Sequence, residues 1–489
     1  MKDNQRTGNK RLTKKVQKLL VDDLTKKELA KIQEQLKPSV NDIKPVLLTC
    51  KLKIHPTPEQ EEVLWKLAEN CRLLYNFALK ERIEWFNSNK ELPQDKREKQ
   101  IRFASQCKQL PLLKQKYPNY KQNYSKTLQQ TLKCLDANFR SFYALRRNGY
   151  KDANPPRYKG KNYFTTLQYN QIGFKVVKNK ITFVHFYPSK EETNIELSFQ
   201  LNNKFDFSNR KIKHINLFQN HKTKEFFVSI VFELVTPKYY DNGIYQAIDQ
   251  GVMNLVAGVN SHAGKTIVTK NYRTNKYWQP KIDELQSKRD HCKRYSNRWF
   301  WYNEKLVKMK RKEANQNKDF QHKVSKKIIT NTKANTIIIG DLTSKEMSKK
   351  KIGDKKSDKS LHRSMHNSGS IARFARFLTY KAKIAGKKVI RISERNTTKR
   401  CSFCGQKKNR KLSERVIKCD CGLIIDRDIN SAINILQRFL AVISLSQKRP
   451  VTGQRLLREF RQTFFAKNSC ENGSPSHRTR EDFELKVLV

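Results

Sequence analysis

The sequence predicts a multidomain α/β protein, and three features lead to this fold class. Apolar strand-like runs alternate with helical segments after residue 243, as in a sheet covered by helices. Short alternating runs from residue 155 to residue 240 favour a small antiparallel β-barrel. Four closely spaced cysteines near residue 400 predict a compact metal-binding element. A length of 489 residues is enough for several such domains.

The N-terminal part begins with a polar, lysine-rich extension over residues 1–46, which we expect to form a basic arm or a peripheral helix. A strand then leads into a helix, because Thr57 suits an N-cap, Pro58 suits the first helical position, and Gln60 completes a capping box. Helical periodicity continues to about residue 154. One apolar stripe of this region predicts ordinary core packing.

The second half of the chain has a different pattern of predicted helices and strands. A long basic helix is predicted over residues 281–331, and its aromatic residues Trp299, Trp301 and Tyr302 either stack on bases or pack inward. The last fifty residues look loosely ordered, with scattered arginines. The other predicted elements are a strand from about residue 243, a strand over 336–339, a helix over 370–385, a strand over 388–393 and a helix from Asp428.

The charge of the chain indicates a polyanionic partner. Its 102 Lys+Arg and 45 Asp+Glu give a formal charge of +57, which is self-repulsive unless counter-charges neutralise it. Nucleic acid supplies such charges, whereas a membrane is the alternative. No apolar run approaches the roughly 20 residues of a spanning helix, and the N-terminus has no secretory signal. We therefore expect an intracellular protein associated with DNA and not with a membrane.

The cysteine cluster predicts a structural zinc site. Cys401, Cys404, Cys419 and Cys421 follow a C-x2-C-x14-C-x-C pattern, in which two short knuckles let four thiolates converge on one ion. Four thiolates leave no open coordination position, so the zinc is expected to be structural. The six remaining cysteines are scattered and fit a reducing compartment.

Several carboxylates follow apolar strands or precede a helix. Asp249 ends one strand, Asp341 follows another, and Asp426 and Asp428 precede the helix that follows the cysteines. Acids at the carboxyl ends of neighbouring parallel strands can share two Mg²⁺ ions about 4 Å apart and hydrolyse phosphodiesters. Taken alone, each acid is better explained as a solvated loop residue or a helix cap, and Asp428 in particular as a simple helix cap.

The order of these motifs resembles a known family. AIDQGVMNLVAGV, IIIGDLTSKEM, ERNTTKRCSFCG and CDCGLIIDRDINSAINIL resemble the RuvC segments and inserted zinc ribbon of the transposon-encoded TnpB proteins and of their eukaryotic and viral relatives, the Fanzors. KLKIHPTPEQEEVLWKLAENCRLLYNFAL and NPPRYKGK resemble their N-terminal segments. The likeness covers roughly residues 47–440.

The resemblance implies an RNase H-like, RuvC-type nuclease with two Mg²⁺ ions and one structural zinc ion. Its partners would be a guide RNA and double-stranded target DNA beside a short flanking motif, bound by a monomeric ribonucleoprotein. The implied domains are an extension (1–46), a β-barrel (47–56 and 155–240), a helical recognition domain (57–154), the RuvC-like nuclease (243–395 and 422–440), the zinc ribbon (396–421) and a basic tail (441–489).

One departure from the family pattern affects the catalytic acids. Many TnpB proteins carry glutamate where this sequence has Gly340, and Asp341 should face the other side of the sheet. Glu394 ends a strand expected beside Gly340, which leaves it space. The resemblance therefore implies Asp249, Glu394 and Asp428 as the catalytic magnesium ligands. If Glu394 is an ordinary surface acid instead, the nuclease is crippled.

Two alternative functions stay open at this point. One is a nuclease-inactive, repressor-like RNA-guided DNA-binding protein, and the other is an unguided transposon-associated nuclease. Arg72 and Lys159 are candidate contacts to the nucleic-acid backbone, although surface solvation is the better explanation of either residue alone. The expected location is the nucleus in a eukaryotic or viral host and the cytoplasm or nucleoid in a prokaryote.

Overall fold

The structure is a computed structural model that divides into two compact units. One unit comprises Pro45–Leu234, and the other comprises Met1–Lys44 with Val235–Val489. The described residues are 14–37, 45–186, 195–201, 207, 210–221, 223–262, 264–341, 371–411, 413–445 and 450–469. The predicted domain boundaries within these units remain predictions.

The unit Pro45–Leu234 contains two antiparallel sheets among its described residues. One sheet has the strand order β1-β7-β6-β2 and the other has the order β3-β4-β5. Both are antiparallel, as the alternating pattern predicts, while closure into a barrel remains a prediction. The strands are β1 (Val46–Ile54), β2 (Leu167–Asn170), β3 (Phe174–Val177), β4 (Lys180–Phe183), β5 (Leu197–Gln200), β6 (Ile212–Gln219) and β7 (Phe226–Leu234).

Three helices complete this unit: α3 (Pro58–Asn89), α4 (Phe103–Lys116) and α5 (Ser125–Arg147). The predicted capping box is confirmed, because the Thr57 side chain accepts from the Gln60 backbone and Gln60 reaches back to the Thr57 backbone. The predicted apolar stripe of α5 lies in the core over Leu128, Leu132 and Leu135, whereas its last members, Phe139 and Phe142, are half-buried. Local sequence signals therefore locate α3 and α5 correctly.

The other unit is built on a five-stranded sheet of order β10-β9-β8-β11-β12. Strands β8, β11 and β12 run parallel, and β9 and β10 are antiparallel to their neighbours. The strands are β8 (Tyr245–Asp249), β9 (Asn254–Asn260), β10 (Thr266–Lys270), β11 (Thr336–Gly340) and β12 (Lys388–Ile392). A small antiparallel pair, β13 (Val416–Lys418) and β14 (Ile424–Asp426), lies in the cysteine-containing segment.

Helices cover both faces of this sheet. The described helices are one over residues 14–22, here α1, and α2 (Lys26–Leu36), α6 (Thr274–Asp290), α7 (Asn297–Asn331), α8 (Ile371–Ile384), α9 (Arg427–Ser444) and α10 (Pro450–Ser469). Ala247 and Ile338 belong to the core beneath α9, whereas Ile248 and Ile337 belong to the core beneath α7 and α8. This strict alternation decides which strand-end residues face α9.

Two predictions for this unit need correction. The long basic helix is two helices, α6 and α7, joined at residues 291–296 and packed together through Trp278, Ile282 and Leu306. The C-terminal segment is not loosely ordered over residues 450–469, because α10 buries Phe460 and other apolar side chains in the core beneath α9. Residues 470–489 lie outside the described residues.

In the described part of the chain, every helix is too short or too polar to cross a bilayer.

Candidate metal centres

Three strand ends and one helix start meet at one edge of the parallel part of the sheet. Asp249 is the last residue of β8, Gly340 is the last residue of β11, and Glu394 lies two positions beyond β12. By the alternation of side chains, these three residues share the face of Ala247 and Ile338, which is the face covered by α9. Asp428, in the first turn of α9, is therefore brought to the same edge.

Glu394 occupies the space left by Gly340. A β-carbon built on Gly340 would lie 1.2 Å from Glu394 Oε1 and 2.2 Å from its Cγ. The whole glutamate side chain therefore lies directly against the glycine, as the sequence predicted from the missing acid. Glu394 Oε1 is buried and has no hydrogen-bond partner among the described residues. A buried, unpartnered carboxylate oxygen is costly unless a cation or a proton satisfies it.

The acids at this edge interact electrostatically. Burial, followed by the nearby Asp428 carboxylate, raises the pKa of Asp249 to about 8. Burial and then the Asp249 carboxylate raise the pKa of Glu394 well above its ordinary value. Desolvation and like charge together disfavour ionisation of neighbouring carboxylates, so these groups favour the protonated form unless a bound cation offsets the cost of their charge.

Asp428 is oriented by other residues and is not the cap of its helix. The N-cap of α9 is Asp426, whose Oδ1 accepts from the backbone of Asp428 at 2.8 Å. Asn254 Nδ2 donates to Asp428 Oδ2 at 2.8 Å. Arg427 and Arg415 lie 3.5 and 3.6 Å from the other carboxylate oxygen. The capping role considered from the sequence therefore belongs to Asp426, and Asp428 is available for another role.

Asp341 has a different environment from the three acids. Lys31 Nζ lies 2.6 Å from its Oδ2, and an Arg391 nitrogen lies 3.8 Å from its Oδ1. Its carboxylate is thus paired with cations, although it also contributes to the raised pKa of Glu394. This arrangement agrees with the prediction that Asp341 does not replace the missing acid.

The carboxylate edge fits divalent cations chemically. Hard oxygen ligands, burial and an unpartnered oxygen are the features that Mg²⁺ sites require. Within the described ranges, the only three or more His, Cys, Asp or Glu ligand atoms that lie within 4.8 Å of one another belong to the cysteine cluster. The three acids are therefore spread more widely than the ligands of one ion, which is compatible with a pair of ions about 4 Å apart. Their assignment as ligands remains a prediction.

The four cysteines fit a zinc ion closely. Cys401 Sγ lies 3.7 Å from Cys421 Sγ, and Cys404 Sγ lies 3.6 Å from Cys419 Sγ. Tetrahedral thiolates bound at about 2.3 Å would be separated by about 3.8 Å. Both knuckles end in a glycine with positive φ, +77° at Gly405 and +86° at Gly422, so the tight turns need glycine there. These residues would hold one structural zinc ion.

The base of the zinc ribbon is attached to α9. Asn434 Nδ2 donates to the carbonyl oxygens of Thr397 and Arg400, at 2.8 and 2.7 Å. Asn430 Nδ2 contacts the same two carbonyls, and its side-chain oxygen accepts from the Ser402 backbone. These bonds are buried, so the ribbon and the helix that carries Asp428 form one structural unit.

The candidate nucleic-acid contacts have structural roles in their own unit. Arg72 is 7% exposed; its guanidinium binds Glu69 through two nitrogens and donates to the Lys159 carbonyl at 2.8 Å. The Lys159 ammonium lies 4.1 Å from the centre of the Tyr75 ring. This environment disfavours a phosphate contact by Arg72, while such a contact by Lys159 remains a prediction.

The aromatic residues of the α6–α7 pair include side chains that pack inward and side chains that are exposed and could stack on bases. Trp278 is buried against α7 and donates its indole N–H to Gln316 Oε1 at 2.7 Å. Tyr295 and Trp301 are 61% and 51% exposed, and the Lys305 ammonium lies 3.4 Å from the centre of the Trp301 ring. Of the three aromatic residues in the prediction, Trp301 is therefore exposed and Trp299 and Tyr302 are half-buried, while the inward-packed Trp278 lies before the predicted helix.

Sequence reasoning missed residues that support the acids. Asn254 orients Asp428, and the Ser431 side chain lies close enough to Asp249 to oppose the rise of its pKa. Their only signal in the sequence is a polar residue at the start of an apolar strand or on the buried face of an apolar helix. That signal is too common to identify a site by itself.

Comparisons with known proteins agree with this architecture. The family model "Cas12f1-like, TNB domain" matches residues 372–435, "Helix-turn-helix domain" matches 46–91, and "Probable transposase" matches 229–351. The solved structure titled "Cryo-EM structure of the Cas12f1-sgRNA-target DNA complex" is similar in fold, with a TM-score of 0.54 and 14% identity over 80% of this chain and 98% of that chain. The fold and the site thus define a nuclease-like α/β protein with a four-cysteine cluster that could hold zinc.

Two curated relatives make the resemblance to known proteins more specific. "Putative RNA-guided DNA endonuclease InsQ" of Escherichia coli (strain K12) is 24% identical over 82% of this chain and 94% of its own length. "TnpB-like protein L79" of Acanthamoeba polyphaga mimivirus is 31% identical over 42% of this chain and 39% of its own length. These relatives and family models confirm the predicted resemblance to the TnpB family.

Proposed function

We propose that this protein is an RNA-guided, Mg²⁺-dependent DNA endonuclease that cuts DNA complementary to a bound guide RNA beside a short flanking motif. The observation that carries the proposal is the meeting of Asp249, Glu394 and Asp428 at one sheet edge, with Glu394 filling the space over Gly340. Glu394, which follows β12, would take the place of the acid that is absent at Gly340 of β11. The magnesium-binding nuclease site would then still have three acids.

The proposed chemistry is hydrolysis of a DNA phosphodiester. A pair of Mg²⁺ ions held by the three acids would supply a water nucleophile at neutral pH and stabilise the leaving oxygen. Asp249 has a pKa of about 8, so it must release its proton before it holds a cation at neutral pH. Asn254, Arg427 and Arg415 orient Asp428.

The proposed partners follow from charge and from the relatives. The formal charge of +57 favours a long polyanion, such as a guide RNA paired with its target strand. In such complexes base pairing reads the sequence, while the protein reads duplex shape and a short motif. Relatives are named RNA-guided DNA endonucleases, and the similar solved structure is a complex with a guide RNA and target DNA. We propose a monomeric ribonucleoprotein, located with the DNA of its host.

The binding-only alternative loses its support. It rested on Gly340, and the position of Glu394 against that glycine offers a replacement for the absent acid. The unguided nuclease differs from the proposal only in the origin of its specificity. No feature of the described residues favours it.

Three measurements test the proposal. The protein is purified from cells that express it with its flanking locus, the co-purified RNA is sequenced, and the complex is incubated with matching or scrambled DNA and Mg²⁺. We expect one enriched RNA species and cutting of the matching DNA alone. Bound RNA with intact target DNA would favour the binding protein, and cutting after removal of the RNA would favour the unguided nuclease.

A further inference from the structure

The N-terminal helices α1 and α2 are part of the sheet-containing unit, although the three family matches begin at residue 46. Val16 and Leu20 of α1 and Ile32 of α2 are fully buried. Gln35 of α2 accepts from the Arg391 backbone N–H at 2.9 Å and donates to the Arg391 carbonyl at 3.1 Å, along the outer edge of β12. These helices therefore contact the strand that leads to Glu394.

A buried arginine holds the backbone on both sides of Glu394. Arg438 of α9 has no exposed surface, and its guanidinium donates to the carbonyl oxygens of Ser393 and Arg395. Its Nε donates to the Leu20 carbonyl of α1 at 3.2 Å. The two bonds that bracket Glu394 fix the peptide groups from which its side chain extends over Gly340. A planar fork with several donors suits this task better than any other side chain.

The counter-charge for Arg438 comes from the N-terminal segment. Asp23 lies between α1 and α2, and its Oδ2 is 3.3 Å from Arg438 Nη2. The same carboxylate accepts two bonds from Arg400, at 2.8 and 2.9 Å, and one from Asn396 Nδ2 at 3.0 Å. A buried guanidinium without a counter-charge is strongly destabilising, so Asp23 keeps Arg438 in its place.

We propose that Asp23, acting through Arg438 and Asn396, is a positioning residue that holds Glu394 in the geometry needed to bind the metal. The inference deepens the proposed function and rests on it, because it assigns a structural element outside the family matches to the metal affinity of the same site. Residues that orient metal ligands change metal affinity or activity by about 10–100-fold when they are mutated. A residue that only stabilises the fold would leave the metal requirement of the folded protein unchanged.

The test compares Asp23→Asn with Asp22→Asn, a neighbouring exposed aspartate that loses the same charge. Cutting of guide-matched DNA by each complex is measured as a function of Mg²⁺ concentration. We expect Asp23→Asn to need about tenfold more Mg²⁺ for half-maximal cutting and to recover most of its rate at saturating Mg²⁺. Asp22→Asn should match the wild type. An unchanged Mg²⁺ requirement, or a loss that saturating Mg²⁺ does not restore, would overturn the proposal.

A second readout does not depend on cutting. Mn²⁺ binding to the zinc-loaded full chain is measured by calorimetry, with Glu394→Gln defining the signal of the site. Asp23→Asn should weaken this signal about tenfold, and equal affinity in both aspartate variants would refute the positioning role. If the wild-type complex does not cut matching DNA, the proposed function fails. The Mn²⁺ comparison still decides whether Asp23 positions the site.

A third variant covers the case in which Asp23→Asn lowers the unfolding midpoint. Asn396 has a φ of +63°, so Asn396→Gly keeps that backbone conformation and removes one bond to Asp23 while leaving the Asp23–Arg438 pair intact. A smaller shift of the Mg²⁺ requirement, a few-fold in size, would support the proposal. A folded Asn396→Gly variant with a wild-type Mg²⁺ requirement would contradict it.

Discussion

The two candidate metal centres of this protein are assembled in opposite ways. The zinc ligands lie within a short stretch of chain, and two knuckles formed by that stretch bring Cys401 and Cys421 together. The carboxylate edge instead needs two parallel strands, the turn beyond β12 and the start of α9 in register. A site formed by residues that are close in the sequence can be predicted from their spacing. A site formed by residues that are far apart in the sequence can be predicted only when the topology of the fold is known.

The two centres also differ in how their ligands are supported. The ribbon's turns depend on glycines with positive φ, a local backbone requirement. The acids depend on Gly340 because a neighbouring side chain needs its space, and on Arg438 because the turn beyond β12 is held from the adjoining helix. Changes at the carboxylate edge should therefore affect cutting more than folding, and changes at the ribbon should do the reverse.

The largest effect on cutting is expected from Glu394→Gln. The amide keeps the size of the side chain but cannot supply a negative oxygen, so cutting should fall by more than about 100-fold, beyond the usual loss for an outer-shell residue. Binding of RNA and target DNA should stay within twofold, roughly, because the surface charge hardly changes. Cleavage assays and gel-shift titrations measure the two quantities.

Asp341→Asn is the matched control for that variant. Its carboxylate is paired with Lys31 and should not bind metal, so at least about half of the activity should remain. Loss of cutting in Asp341→Asn together with activity in Glu394→Gln would reverse the assignment of the third acid.

The next largest effect is expected from Gly340→Ala. The added β-carbon would overlap Glu394 Oε1 and Cγ, so the glutamate must leave its position. We expect a loss of cutting of about 10–100-fold. The unfolding midpoint should resemble that of Ile337→Val, a one-methylene deletion on the other face of the same strand. Full activity in Gly340→Ala would show that the glutamate need not lie there.

A smaller effect on cutting and a larger effect on stability are expected from Cys401→Ser. Loss of a thiolate should release the zinc, which a chromogenic chelator quantifies, and lower the unfolding midpoint by more than about 5 °C. Cutting should fall because the Arg400 and Thr397 carbonyls bind the helix that carries Asp428. Cys292→Ser is the control, because this cysteine lies outside the cluster. Zinc loss with unchanged stability and cutting would show that the two centres are independent.

The last prediction concerns the pH dependence of stability and not cutting. The folded pKa of Asp249, about 8, lies above the ordinary value of 3.8, so the folded protein binds this proton more tightly than the unfolded chain does. The stabilisation is complete below about pH 4 and is lost as pH rises through about 8. In Mg²⁺-free, zinc-loaded protein, the wild-type unfolding midpoint should therefore fall from pH 5 to pH 9 relative to that of Asp249→Asn. Parallel pH profiles for the two proteins would contradict the raised pKa.

Much of this arrangement could be predicted from the sequence, for identifiable reasons. Cysteine spacing defines the zinc cluster, and acids at strand ends define the sheet edge. The glycine at position 340 indicated that a longer acid from the next strand fills the gap. Strand alternation also placed Asp341 apart from the other acids, where the structure pairs it with Lys31.

The rest depends on packing that no local pattern specifies. Asp23 and Arg438 are separated by most of the chain, and neither lies in a motif that predicts their contact. The break between α6 and α7 falls in a run of polar and basic residues that are compatible with a continuous helix. The apolar side chains of α10 pack in the same core as those of α9. The helix α10 could therefore not be predicted from its own sequence without knowing where α9 lies.

The Gln35 side chain has a consequence beyond catalysis. β12 is the last strand of its sheet, and an uncovered last strand offers its backbone groups to strands of other molecules. Gln35 hydrogen-bonds both the backbone N–H and the backbone carbonyl of Arg391. These two groups of β12 are therefore not available to a strand of another molecule. Shortened versions of the chain that lack α2 are therefore expected to self-associate.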